Sequence, residues 1–395
     1  MNQELQFDTV IVGCGVAGLF TALHLPKEEK ILMLSKEDLA SCDSMLAQGG
    51  ICVLLSDEDY APYFEDTMRA GHYENRKESV DIMLRSSRSV INQLLGYGVD
   101  FAKNPDGSLC YTREGAHSKP RICFHEDTTG REITTKLLDA VKALPNVTIM
   151  EYTTMTDLIV ENNVCTGILA TGFGKESLKI HAENTVLATG GIGGLYEHST
   201  NFPCLTGDAL DICKRHAVEL EHLDYVQIHP TTLYREAEEK ERSFLISESA
   251  RGEGAVLLNS KGERFVDELL PRDVVTKAIW AQMEKEGSKH VWLSFEKIPK
   301  EEIRSHFPNI LETCKEAGYD ITKEPAPVVP AQHYFMGGIH VDSNSATTMP
   351  HLYAVGETSC NGVHGKNRLA SNSLLESLVF AERAAKHITE IAKGN

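Results

Sequence analysis

Two stretches of this sequence carry residue types and spacings that could do chemistry. Gly13-Cys14-Gly15-Val16-Ala17-Gly18 sets glycines at the three positions that a dinucleotide turn requires. Gly13 permits a tight turn, Gly15 lets backbone approach a pyrophosphate, and Gly18 lets a helix pack close to a strand, with the helix N-terminus facing the phosphates. Arg113-Glu114-Gly115-Ala116-His117-Ser118 places a carboxylate among basic neighbours. In an exposed loop Glu114 would only pair with Arg113 or Lys119, a contact that contributes little. Inside a pocket built for anions, the same carboxylate would demand an ammonium.

The elements around the glycines are those a dinucleotide site needs. An apolar run, Phe7 to Val12, precedes them, a helix-like stretch follows to Leu25, and a second strand runs from Ile31 to Leu34. That strand ends in Ser35-Lys36, where an acid would ordinarily take the ribose hydroxyls; Glu37 and Asp38 come slightly late. Lys36 by itself would point to a phosphorylated ribose and NADP. Flavin is favoured because Thr185 to Gly191 and Leu352 to Glu357 each read as a buried strand ending in glycine, the second with an acid at its carboxyl end.

Between these segments the pattern changes. From about Leu223 to His333 come a charged stretch, Arg235 to Arg242, short strands, amphipathic helical segments at Val274 to Lys285 and Glu301 to Gly318, and a Pro-rich run, Pro325 to Pro330. The expected fold is therefore α/β: a Rossmann-like FAD-binding domain in two segments, 1–222 and 334–395, with an inserted α+β capping domain, 223–333. A last helix, Ser373 to Ala392, has apolar residues at helical spacing and Asn372 or Ser371 to cap it.

Composition narrows the function. The chain of 395 residues is 42% hydrophobic and 24% charged, as in ordinary globular proteins. A net charge of -18 argues against nucleic acid or an anionic membrane as the main partner, so an anionic substrate must be held by a local cluster of Arg and His. Ten cysteines without a Cys-x-x-Cys pair imply neither a zinc ribbon nor a disulfide scaffold, and no metal site is expected. With no targeting segment and no apolar run of about 18 residues, the expected location is the cytoplasm.

Further motifs accumulate in order. Ala47-Gln48-Gly49-Gly50-Ile51, His229-Pro230-Thr231, Arg251-Gly252-Glu253-Gly254, Pro271-Arg272-Asp273, His333-Tyr334 with Gly337-Gly338, and Asn367-Arg368 before Ser371-Asn372-Ser373-Leu374-Leu375-Glu376 all resemble the succinate dehydrogenase and fumarate reductase flavoprotein superfamily. Within it the chain is similar to the L-aspartate oxidase family, from residue 7 to about 385. The resemblance implies that a capping domain closes over FAD. The cofactor would lie on Gly13, Cys14, Gly15, Val16, Ala17 and Gly18, on Lys36, on the run Asp43, Ser44, Met45, Leu46, Ala47, Gln48, Gly49 and Gly50, and on Asp208, Glu357, Ser373 and Leu374. The N-terminus of the last helix would then stabilise charge on the reduced flavin. Where membrane-complex relatives attach FAD through a His, this chain has Asp43, so noncovalent FAD is expected. Many aspartate oxidases continue into a C-terminal helical bundle that this sequence does not include.

By the same resemblance Arg272, Arg368, His229 and His333 would clamp two carboxylates, Arg being suited to this by its planar fork. Ser247 would add a donor, with Glu248 beside it, although Ser247-Glu248-Ser249-Ala250 would also serve simply to begin a helix. Glu114 would meet the substrate ammonium, where fumarate reductase-like relatives carry an aromatic residue. The implied ligands are L-aspartate and fumarate. The implied reaction is hydride transfer from Cα to FAD giving iminoaspartate, with O2 or fumarate as acceptor, as the first step of NAD biosynthesis through quinolinate. Coupling to a quinolinate synthase would be functional. Arg272 matches the arginine that transfers a proton in fumarate reduction; because arginine stays protonated, electrostatic activation is the role its chemistry supports. Two rival readings remain, a fumarate reductase or succinate dehydrogenase flavoprotein subunit and a flavin-binding module without turnover. Asp43 and Glu114 speak against the first, and the complete set of clamps against the second.

Overall fold

The structure is a computed structural model that describes residues 3–236 and 242–394, so residues 237–241 of the charged stretch lie outside the described part. Its spine is the strand Gln3–Val12, whose residues Val10 and Ile11 are fully buried. Burial on both faces is why its end, Val10 to Val12, is continuously apolar rather than alternating, as parallel strands under helices require. It pairs in parallel with Ile31–Leu34 on one side and Ser177–Leu187 on the other. Val147–Met150 extends the sheet beyond Ile31–Leu34, again in parallel. At the other edge Thr154–Glu161, Val164–Thr171 and Ser177–Leu187 form an antiparallel meander, and Leu352–Ala354 returns late in the chain to pair in parallel with Thr185–Leu187. The helix Val16–His24 leaves the first strand through the glycine turn and packs on the last helix, Ser373–Gly394.

A second sheet stands apart, in the order Val226–Leu233, Ala326–Phe335, Val291–Ser294, Val256–Leu258, all antiparallel. With the helix Arg272–Glu286 it encloses its own apolar core, running from Leu233 to Val328 and separate from the cores beneath the first sheet. The run Pro325 to Pro330 mostly falls inside a strand of this sheet, and Pro330 sits where the register slips between His229 and Thr232. A register break is where a strand tolerates a residue that has no N–H.

One expected element is corrected. The stretch Glu301 to Gly318 is two helices, Lys300–His306 and Pro308–Glu316, because Phe307 precedes a proline and is driven out of the helical region to φ -129° and ψ 45°. The second helix is seated on the other half of the molecule: the Asp127 carboxylate accepts its Asn309 and Ile310 N–H groups at 3.3 and 2.7 Å. At the last helix, neither expected cap residue is free for that task. The Ser371 hydroxyl goes to Glu114, and Asn372 binds Tyr63 and Thr67. Among the described residues no helix is long and apolar enough to cross a membrane.

Candidate active site

A single long cavity of about 1720 Å3, solvent at its mouth included, runs from the glycine turn to the junction with the second sheet. At its first end the turn behaves as its spacing predicts. Gly13 has φ +118°, and a Cβ there would meet the Ala188 carbonyl oxygen at 2.0 Å; one on Gly18 would meet the Gly13 carbonyl oxygen at 2.1 Å. Gly15, the N-cap of Val16–His24, offers no side chain of its own, and this N-terminus lines the cavity with its Val16 N–H held by the Ser44 hydroxyl at 3.1 Å. This is the arrangement that binds a phosphate. Gly18 and Met45 alone among the expected cofactor residues do not line the cavity; Gly18 acts through packing.

Lys36 is held at the Cys204 carbonyl, the Thr206 hydroxyl and, at 2.7 Å, the Asp208 carboxylate. Two residues expected to serve the cofactor separately are thus one ion pair. Asp43 accepts the Phe202 N–H at 2.9 Å through one oxygen, while its other oxygen is buried without a partner. Glu357 accepts the Phe335 N–H at 2.9 Å. Burial raises Asp43 to about 7; burial and the nearby Asp43 charge raise Glu357 to about 8. Unpartnered acceptors here and on Gln48 leave room for hydroxyl and N–H donors. These features fit FAD: an anion cradle, acceptors for ribose and ring donors, and a second helix N-terminus at Ser373 and Leu374.

The other end gathers the expected clamps. Arg272 donates to Glu248 at 2.5 Å and to Gln227 at 2.9 Å. Arg368 lies 4.3 Å over the Tyr334 ring, donates to Ser373 at 2.8 Å, and keeps Nε buried without a partner. Burial and the nearby Arg272 charge lower Arg368 to about 10. Among the described residues it forms no ion pair, with Glu357 and Glu114 acting on it only from farther away, so an anionic ligand would supply a direct counter-ion. The rings of His229 and His333 are 5.1 Å apart, and burial with the facing arginines drives both well below the ordinary range, so both are neutral. His229 Nδ1 accepts the Thr231 N–H, which puts its proton on Nε2, the buried atom without a partner. Ser247 begins the helix Glu248–Gly252, its hydroxyl accepting the Ser249 N–H, and it also lines the cavity.

Glu114 lies in the same wall, 2% exposed, and pairs with neither Arg113 nor Lys119. One oxygen accepts the Ser249 hydroxyl at 3.0 Å and the other accepts the Ser371 hydroxyl. Burial and the charge of Glu248 raise it above the ordinary carboxylate range. Glu248 is held below that range in spite of its burial, because Arg272 and Arg251 face it. Of these two neighbouring acids, only Glu114 forms no ion pair among the described residues, although the more distant Arg272 charge acts on it.

Residues 8–374 match the family described as FAD binding domain. An L-aspartate oxidase of Clostridium perfringens is 50% identical over 381 residues, covering 96% of this chain and 86% of that protein. The chain belongs to the L-aspartate oxidase family. A second member, from Clostridium acetobutylicum, is 49% identical over 98% of this chain and 88% of its own length. The fold is shared with a quinol fumarate reductase of E. coli, a mutant of its FrdA chain, at a TM-score of 0.92 and 31% identity, over 99% of this chain and 71% of that one. For a member of the L-aspartate oxidase family, then, the scaffold is that of a fumarate reductase, and the difference is to be sought in the cavity wall.

Several residues hold the cavity wall in place without the sequence having singled them out for that task. Ser249 and Ser371 reach Glu114 from 135 and 257 residues away. Gln227, beside the His229 motif, ties Arg272 to Asn367 and to the Arg368 carbonyl. For Ser371 alone a local clue survives in the backbone, a left-handed φ of 60° that aims it inward rather than along the helix.

Proposed function

We propose that the chain is an FAD-dependent L-aspartate oxidase, and that its substrate lies between Glu114 and the Arg272, Arg368, His229 and His333 cluster. FAD, when bound, supplies the two-electron acceptor for the Cα hydrogen of the substrate. The observation that carries the reading is the buried Glu114 carboxylate, bonded only to serine hydroxyls and in no ion pair among the described residues, in a wall otherwise rich in Arg and His. A bound ammonium gives it that partner and favours its ionised form. Arg368, in no ion pair among the described residues, takes one substrate carboxylate, and Arg272, held by Glu248 and Gln227, takes the other with the Nε2–H of His229. His333 completes the pocket. The segments 1–222 and 334–395 serve as the FAD domain and 223–333 as the cap, whose contact through Asp127 and the helix Pro308–Glu316 helps to exclude water.

Asp43 cannot form the histidine linkage, so FAD is held noncovalently. The product, iminoaspartate, is unstable in water, so a quinolinate synthase acting next, within NAD biosynthesis in the cytoplasm, is the coupling proposed. The test is to record the spectrum of the yellow holoenzyme and add L-aspartate without oxygen. Bleaching by L-aspartate but not by succinate or D-aspartate is expected, and a flavin left unbleached sinks the assignment. Readmitting O2 or fumarate then identifies the acceptor.

A further inference from the structure

The turn that carries Glu114 is pinned at its far end by a buried charge cluster. Arg121, fully buried, donates to both oxygens of Asp59 at 3.2 and 3.0 Å, to Asp66 at 2.8 Å and to the Ser118 hydroxyl at 3.2 Å. The same Asp66 oxygen accepts the Ser118 N–H at 2.7 Å and its hydroxyl at 2.6 Å. Ala116 is left-handed at φ 64°, the His117 N–H returns to the Glu114 carbonyl, and the turn is therefore fixed by specific bonds rather than by packing alone.

His117 joins this cluster to the opposite wall. Its Nδ1 lies 3.1 Å from Arg121, which can only donate, so Nδ1 accepts and the ring proton is on Nε2. That Nε2–H points at the Ala370 carbonyl, 3.0 Å away. The next residue is Ser371, whose hydroxyl binds Glu114 and whose carbonyl accepts the Cys52 N–H. Burial first, and then Arg121, lower His117 to about 4, so it keeps one tautomer and no charge across the physiological range. A closed ring of contacts results: Glu114, His117, Ala370, Ser371 and back to Glu114.

We infer that His117, oriented by Arg121, is a positioning residue for substrate choice, because its bond to the Ala370 carbonyl sets Ser371 against Glu114 and so fixes the acid that distinguishes an amino dicarboxylate from a plain one. The inference rests on the reading of Glu114 as the ammonium partner. The experiment compares holoenzyme variants by the ratio of kcat/KM for L-aspartate oxidation to kcat/KM for fumarate reduction. His117→Asn keeps an acceptor for Arg121 but cannot reach Ala370; His117→Gln keeps an N–H for Ala370. A fall of at least tenfold in the ratio for His117→Asn, largely recovered in His117→Gln, is expected, with flavin content and Tm recorded for both. Equal loss of the two activities, or no recovery by glutamine, overturns the inference and leaves His117 a core residue. Should neither variant retain flavin, Ser118→Ala, which loosens the turn from Asp66 without touching the cavity, carries the same comparison. Glu114→Gln is measured beside them. A ratio altered by Glu114→Gln but by no variant of the pinning residues overturns this inference alone, whereas a ratio that Glu114→Gln leaves unchanged overturns the reading on which it rests.

Discussion

Replacing Glu114 with glutamine changes charge while keeping shape. Both partners of the carboxylate are serine hydroxyls, Ser249 at 3.0 Å and Ser371, and a hydroxyl can turn to accept from an amide N–H as readily as it donates to an oxygen. The variant should therefore fold, and removing one of two buried acids that repel each other gives a Tm no lower than that of the parent. What is lost is the charged hydrogen bond to the substrate ammonium, worth about 1.5 to 3 kcal/mol. At about 1.4 kcal/mol per decade this is roughly a ten- to hundredfold fall in kcat/KM for L-aspartate. Fumarate has no ammonium, so its reduction should be spared or improved. The assay is steady-state kinetics of the two reactions on the same preparation with flavin content matched. Losses of equal size in both reactions would refute the reasoning, since they would mean that Glu114 shapes the cavity rather than selects the substrate.

Other consequences are open to measurement. Because Glu114 is held above the ordinary range, it loses its charge at a pH where an exposed glutamate, at about 4.3, is still ionised; the acidic limb of kcat/KM for aspartate should lie above that value and vanish in Glu114→Gln. Stripping FAD should expose a pH-dependent weakness. Asp43 and Glu357 have folded-state values raised to about 7 and about 8, so the stability they contribute is complete below about 4 and is lost as pH rises through those values. The apoprotein Tm should thus be lower at pH 9 than at pH 6, and Glu357→Gln should flatten that slope. Gly13→Ala forces a Cβ to 2.0 Å from the Ala188 carbonyl oxygen at a φ of +118°, so it should purify colourless or not at all. Gly49→Ala pushes a Cβ to 2.2 Å from the Glu114 oxygen and should depress aspartate oxidation at least tenfold, an effect read by the same two-substrate comparison.

What could be seen in the sequence was what depends on neighbours along the chain. The turn at Gly13 to Gly18 was legible because each glycine answers a local steric demand, and the strands Gln3–Val12 and Ile31–Leu34 followed from apolar runs on either side. The division at Pro308 was also local, and it was lost only because helical periodicity on both sides outweighed the restriction a proline places on the residue before it. Contacts across the fold left no trace. Lys36 reads as a residue awaiting a phosphate until Asp208, 172 positions later, is brought to 2.7 Å. Ser371 and Asn372 have the composition of a helix cap, yet tertiary partners claim both side chains. Arg121 looks like any surface arginine; only its enclosure by Asp59 and Asp66 makes it a structural centre.

The two hydroxyls that hold Glu114 come from different halves of the molecule. Ser371 follows Arg368 on the way to the last helix, while Ser249 belongs to the short helix whose neighbours build the separate core from Leu233 to Val328. The acid is therefore shared property, fully dressed only while the halves are together. Swinging the second half away would undress one oxygen and move Glu248 from its side, returning Glu114 toward the behaviour of an ordinary solvated carboxylate. If the second half serves as the cap proposed above, fidelity for the amino group would thus belong to the closed molecule alone.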